Sequence, residues 1–159
     1  MIVEFTLNGR KTSVNIDADD SLYTVLRSLG MYSVKCGCET TNCGLCTVHM
    51  DGKAVLSCAV PAPRAAGHKI TTLEGLQAEA KRLGEFLAGE GAEQCGYCAP
   101  GMMMNVFALA KENPRATDDE IDAYLAGNLC RCSGYVSQRR AIRMYLQSEV
   151  DAADKEVRA

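Results

Sequence analysis

The sequence predicts an α+β chain in two unlike parts, a β-rich first half followed by an all-helical second half. Three observations carry that expectation. Apolar residues alternate with polar ones around tight glycine turns early in the chain, helical periodicity with capping signals takes over later, and the nine cysteines fall in two groups with none between Cys58 and Cys95. A length of 159 residues accommodates one ordinary domain or two small ones. The cysteine gap favours two.

Val3, Phe5 and Leu7 alternate with Glu4 and Thr6, Asn8-Gly9 supplies a tight turn, and Val14 and Ile16 resume the period of two, which is a β-hairpin pattern. Asp19 or Asp20 is the expected cap of a short helix bearing Leu22, Val25, Leu26 and Leu29, with Gly30 placed to end it. Residues 47–50 and 53–59 flank Asp51-Gly52 as a second hairpin, and 70–73 reads as a last strand. Two hairpins around one helix, with a crossover back into the sheet, form an arrangement of the ubiquitin-like or β-grasp kind. Pro61, Pro63 and Gly67 mark its exit, which assigns residues 1–75 to the first domain.

Residues 76–150 are assigned to four short helices in a bundle. Leu83, Phe86 and Leu87 form one apolar face, and Met103, Val106, Phe107 and Ala110 form another that opens with Pro100 in its first turn. Thr117 to Glu120 spells a capping box ahead of Ile121, Tyr124 and Leu125, with Gly127 as the stop; Ile142, Tyr145 and Leu146 belong to a last helix. Residues 151–159 read as a polar, frayed tail. No internal repeat relates the halves.

A net charge of −3 without any Lys/Arg cluster gives no electrostatic footprint for nucleic acid or an anionic membrane. The first residues lack a basic n-region and an apolar core of signal-peptide length, and no stretch is apolar enough to span a bilayer, so a cytoplasmic location is expected. In a reducing compartment, nine cysteines point to metal ligation or redox chemistry rather than disulfides. Metal centres also cross-link small domains whose own cores are marginal.

Cys38, Cys43 and Cys46, followed by Cys58, read C-x4-C-x2-C…C, the plant-type [2Fe–2S] spacing. Such a cluster needs four thiolates from one wrapping loop and one distant segment, because each iron takes two of them besides the bridging sulfides. Gly37 and Gly44 are expected to let backbone pass close to the sulfurs, with amide N–H groups aimed at them. A zinc site is the alternative, although zinc ribbons usually present two C-x2-C pairs. Cys36 stands outside the pattern and reads as a passive thiol, with a redox-sensing role as the less favoured reading.

Cys95 and Cys98 form a C-x2-C pair, and Cys130 and Cys132 a C-x-C pair, each expected at a helix N-terminus where free N–H groups and the dipole favour thiolates. C-x2-C combined with C-x-C is uncommon for zinc. A catalytic dithiol at Cys95 and Cys98 would want a thioredoxin-like βαβ context that is missing.

The two cysteine sets in this order, with QCGYCAPGMMM (94–104) and GNLCRCSGY (127–135), resemble the small iron–sulfur subunit of the molybdenum hydroxylases, the family of xanthine dehydrogenase, aldehyde oxidoreductase and carbon monoxide dehydrogenase. The resemblance covers essentially residues 1–150. It implies a β-grasp, plant-type ferredoxin domain carrying the [2Fe–2S] cluster distal to molybdenum and a four-helix domain carrying the proximal one. It further implies a large subunit with molybdenum on molybdopterin, electrons leaving singly through both clusters to FAD on a medium subunit, and a dimer of heterotrimers. By the same resemblance Gln94 and Cys132 lie against the pterin, and this chain has no substrate site or catalytic residue of its own. Relatives commonly read Gly-Glu-Gly where this chain has Glu39-Thr40-Thr41, and alanine at Leu45; losing two glycines predicts a different loop path. Gln138 stands where relatives often carry an apolar residue.

His49, on a predicted strand, and His68, in a loop, have no partner spacing for catalysis. The Met102–Met104 run reads as packing before it reads as a soft-metal site. Arg139, Arg140 and Arg143 read as a solvated face or as contacts to a pterin tail or neighbouring subunit. Two other functions compete with the electron-transfer subunit: a stand-alone ferredoxin or cluster-based sensor, and a zinc-stabilised interaction module.

Overall fold

A computed structural model describes residues 1–158. The first hairpin pairs β1 (Ile2–Leu7) with β2 (Arg10–Asn15), and its turn sets Asn8 and Gly9 at φ 47° and 80°. That is the left-handed geometry that an Asn-Gly turn accommodates. Helix α1 (Leu22–Ser28) buries Leu22, Val25 and Leu26. Its cap is Ser21, whose hydroxyl accepts the Thr24 amide at 3.1 Å, and not Asp19 or Asp20. Asp20 instead closes its own turn by accepting the Asp17 amide.

The second hairpin pairs β3 (Thr47–Met50) with β4 (Lys53–Leu56) through Asp51 and Gly52, again both left-handed. β4 stops three residues short of the expected strand end, because Ser57–Ala59 wind into a 3-10 turn. Cys58 therefore sits on a turn beside the sheet and not on a strand. β5 (Lys69–Thr71) runs parallel to β1 and antiparallel to β3, giving the order β2-β1-β5-β3-β4. One parallel pairing at the centre of two hairpins, with α1 across the face, is the β-grasp arrangement expected. Val3, Phe5, Leu7, Leu22, Leu26, Val48 and Ile70 are among the residues of its core.

The passage to the second half is tied down. Glu74 accepts the Ser33 amide at 2.8 Å and the Ser33 and Thr72 hydroxyls at 2.6 and 2.5 Å, while the Asn8 side chain pairs with Thr72 at 2.9 and 3.0 Å.

Four helices follow: α2 (Gln77–Gly89), α3 (Ala99–Glu112), α4 (Asp118–Tyr124) and α5 (Val136–Arg158). The Thr117/Glu120 capping box is present on α4. α3 is apolar almost all round, as a helix enclosed by the protein must be: it meets α2, α4 and α5 on one side and β3 and β4 on the other. The Met102–Met104 run is accordingly core, each residue at most 7% exposed. α5 continues through the segment expected to fray as far as Arg158, with Asp151 to Glu156 exposed; Ala159 lies outside the described residues. Among the described residues, no helix is long and apolar enough to cross a membrane.

Candidate metal centres

All nine cysteines are free thiols, and eight of them gather two by two. In the first half Cys38 neighbours Cys43 within hydrogen-bond reach, and the Cys46 and Cys58 sulfurs stand 3.3 Å apart. In the second, the Cys95 and Cys132 sulfurs are 3.6 Å apart and Cys98 neighbours Cys130. Among the described residues, no three Cys, His, Asp or Glu donors gather at one point as a single ion would require. Paired thiolates facing another pair are what a two-iron cluster asks of its protein, two sulfurs to each metal.

The sulfurs' acid–base balance fits the same group. Backbone N–H groups of Asn42 and Thr40 hold the Cys38 thiol down at about 6, while burial pushes its neighbour Cys43 up. Burial also sends Cys58 up to about 12 and Cys98 up to about 11. Burial opposes ionisation of Cys130, yet the Ser133 hydroxyl and the Ser133 and Cys132 amides bring it down to about 7. Cys95 is lowered, chiefly by the Tyr97 amide, and Cys132 is raised by its bond to Cys95. In three of the four pairs one sulfur is thus favoured as thiolate while its neighbour keeps the proton, and a bound cation replaces that proton.

The first set is a loop wrapped on the sheet. Cys43 and Cys46 are buried, and Leu45 fills the space under Gly37, where a Cβ would strike the leucine side chain. Gly44 is required for another reason than expected: its φ is +73°, and a Cβ there would meet Gly127 and Asn128 of the second half. Thr41 adopts φ 56° without being glycine, a left-handed step taken by a β-branched residue.

The second set comes from two distant segments. Cys98 caps α3 as expected, but Cys130 and Cys132 end four residues before α5, in a turn where Gly134 and Tyr135 take φ 69° and 71°. Side chains replace the missing helix end. The Tyr135 hydroxyl accepts the Cys130 amide at 2.8 Å and donates to its carbonyl at 3.0 Å, and Ser133 donates to the Cys130 sulfur at 3.3 Å. Gln94 donates to the Cys132 carbonyl at 3.2 Å; buried Gln138 points its amide at the Cys98 sulfur, 3.9 Å away. Cys95 and Cys132 are exposed.

The two sets share a cleft of about 540 Å³, with Gly37, Cys43 and Leu45 on one wall and Cys95, Cys98, Cys130 and Cys132 on the other. Tyr97 crosses it, donating its hydroxyl to the Cys36 carbonyl at 3.0 Å beneath the Lys35 ammonium. Cys36 itself stays outside both sets, its thiol on the Cys38 carbonyl.

The descriptions "2Fe-2S iron-sulfur cluster binding domain" and "[2Fe-2S] binding domain" match residues 5–73 and 72–143. The nicotinate dehydrogenase small FeS subunit of Eubacterium barkeri is 40% identical over 144 residues, covering 89% of this chain and 92% of that one. The chain belongs to the small iron–sulfur subunits of the molybdenum hydroxylases. The xanthine dehydrogenase iron-sulfur-binding subunit of Escherichia coli O157:H7 is 44% identical over 138 residues, or 84% and 86% of the two chains. Quinoline 2-oxidoreductase from Pseudomonas putida 86 superposes with a TM-score of 0.88 at 34% identity over 98% of this chain and 96% of that chain. Aldehyde oxidoreductase from Desulfovibrio gigas matches at 0.83 and 32% identity, over 92% of this chain but 17% of its own longer one. As a molybdenum-hydroxylase small subunit, the chain binds iron–sulfur clusters and is the electron-transfer subunit of a larger oxidoreductase.

Other residues weighed from sequence have structural work. His49 is buried between the halves, its Nε2 bonded to the Met104 carbonyl at 2.7 Å, and burial lowers its pKa. His68 pairs with Asp51 at 2.5 Å. Arg139 and Arg143 pair with Asp118, Arg139 also with Asp122, and Arg140 with Glu90. The role of Tyr135 and the Gln94–Cys132 bond had no spacing signal, since both depend on a turn that forms only when the helices pack.

Proposed function

We propose that Cys38, Cys43, Cys46 and Cys58 hold one [2Fe–2S] cluster and Cys95, Cys98, Cys130 and Cys132 the other, the helical site standing proximal to molybdenum. When bound, each cluster takes up and releases one electron at a time. The observation that carries this reading is the two-by-two pairing of the sulfurs, with 3.3 and 3.6 Å in the pairs Cys46/Cys58 and Cys95/Cys132. Exposure supports the order: Cys95 and Cys132 open to the surface with Gln94 beside them, whereas Cys43 and Cys46 are covered. On this reading Gln94 and Cys132 face the pterin of a molybdopterin-binding large subunit.

Amides of Thr40, Asn42 and Ser133 stabilise negative charge on the ligating sulfurs. Leu45 and the buried Cys43 and Cys46 cover the inner side of the first site, while Cys38 and Cys58 stay half-buried. The acceptor beyond that site is FAD on a medium subunit, in a cytoplasmic dimer of heterotrimers. No residue set of this chain is assigned to substrate, whose chemistry belongs to the large subunit.

The test is metal and sulfide analysis with electron paramagnetic resonance of the complex isolated through this chain. About four irons and four labile sulfides are expected per chain, with two distinct reduced signals. Cys132→Ser should disturb one signal and Cys46→Ser the other. Stoichiometric zinc, or equal loss of both signals in either variant, overturns the assignment.

A further inference from the structure

The loop of the first cysteine set and the turn of the second meet at one buried joint. Asn128 is 7% exposed and lies two residues before Cys130. Its side-chain amide donates to the Gly44 carbonyl at 3.3 Å, and its carbonyl oxygen accepts from the Asn105 amide on α3. The Gly44 carbonyl also accepts the Thr47 amide and hydroxyl, at 3.3 and 2.7 Å. One residue on, the Leu129 amide donates to the Cys43 carbonyl at 3.0 Å. The fit is close: a Cβ on Gly101 of α3 would run into the Gly44 carbonyl, and one on Gly44 would strike Asn128.

We propose that Asn128 is a positioning residue that sets the separation of the two clusters, and that the Leu129–Cys43 hydrogen bond it holds in register is the bonded route between them. The route runs from Cys43 through its carbonyl to the Leu129 amide and on to the adjacent Cys130. This rests on the ligand assignment above. One electron leaves one cluster as it enters the other; no bond is made or broken and no proton moves. The place demands a donor and an acceptor on one short side chain, which asparagine supplies. Alanine would leave the Asn105 amide short of a partner in a partly buried site, and aspartate would set a carboxylate against the Gly44 carbonyl.

The proposal is tested in the complex isolated through this chain, comparing wild type with Asn128→Ala, Asn128→Asp and Asn105→Ala. Three quantities are read: iron and sulfide content, the magnetic splitting between the two reduced signals, and the rate at which the second signal follows the first after rapid reduction. Both Asn128 variants are expected to keep their iron while losing splitting and slowing the second signal severalfold. Asn105→Ala should move both in the same direction by less. Unchanged splitting and rate in Asn128→Ala with full iron overturns the proposal. Should Asn128→Ala shed iron, Asn105→Ala decides by the same two readouts, since it leaves the bond to Gly44 in place. A wild-type complex without two distinguishable signals overturns the ligand assignment itself, and this joint with it.

Discussion

The two halves solve one problem, bringing four sulfurs together, in opposite ways. In the first half three cysteines lie within nine residues of one loop, and their geometry is set by local backbone: Gly37, Leu45 and the amides of Thr40, Asn42 and Cys43. In the second, the pairs come from segments more than thirty residues apart, and their meeting depends on α3 and α5 packing through Met102, Ile142 and Leu146. A site written in a loop tolerates a weak core. A site written across a bundle inherits the bundle's stability, so damage to the helical core should remove one cluster before the other.

That difference can be broken most forcefully at Ile142, which is fully buried. Ile142→Ala should cost about 3 kcal/mol in denaturant unfolding. The helical cluster's signal should fade first, and simultaneous loss of both would show the halves to be one cooperative unit. Gly101→Ala attacks the seam between them. Its methyl meets the Gly44 carbonyl, with an expected loss of about 2 kcal/mol and release of iron from both sites, read by melting and iron analysis.

Gln138 sharpens the comparison without disturbing the fold. Its amide is aimed at the Cys98 sulfur, so Gln138→Leu should lower the potential of the helical cluster alone. A hydrogen bond of about 1 kcal/mol corresponds to some tens of millivolts for one electron, measurable by redox titration. His49 tests the seam by pH. Its folded pKa lies below the unfolded 6.5, so its contribution is complete above 6.5 and is lost as pH falls below that value toward the folded pKa. His49→Gln should flatten that slope in unfolding measured across this window. The smallest effect is expected at Thr41, where a β-branched residue sits at φ 56°; Thr41→Gly should raise the melting temperature, by about 1 kcal/mol of stability.

Features fixed by nearest neighbours were legible in the sequence. Asn8-Gly9 and Asp51-Gly52 announced their turns, Thr117 and Glu120 their capping box, and the cysteine spacing the two regions in which thiols pair. Features fixed by tertiary packing were not. Ser21 stands as cap while the Asp20 carboxylate is engaged by the Asp17 amide, and Cys58 left its strand because the Ser57 hydroxyl turned in to the Cys46 carbonyl. The pairing of Cys95 with Cys132 and of Cys98 with Cys130, the clamp of Tyr135 on Cys130, and the burial of His49 against α3 are long-range facts with no period or motif.

The clasp of Glu74 on Ser33 and Thr72 has a kinetic meaning. Carriers that shuttle a redox centre on a swinging arm depend on diffusion of that arm, and thickening the solvent slows them. Here the connecting strand is pinned at both sides, so internal hand-over of charge should be indifferent to viscosity, and glycerol should slow only encounters with outside molecules.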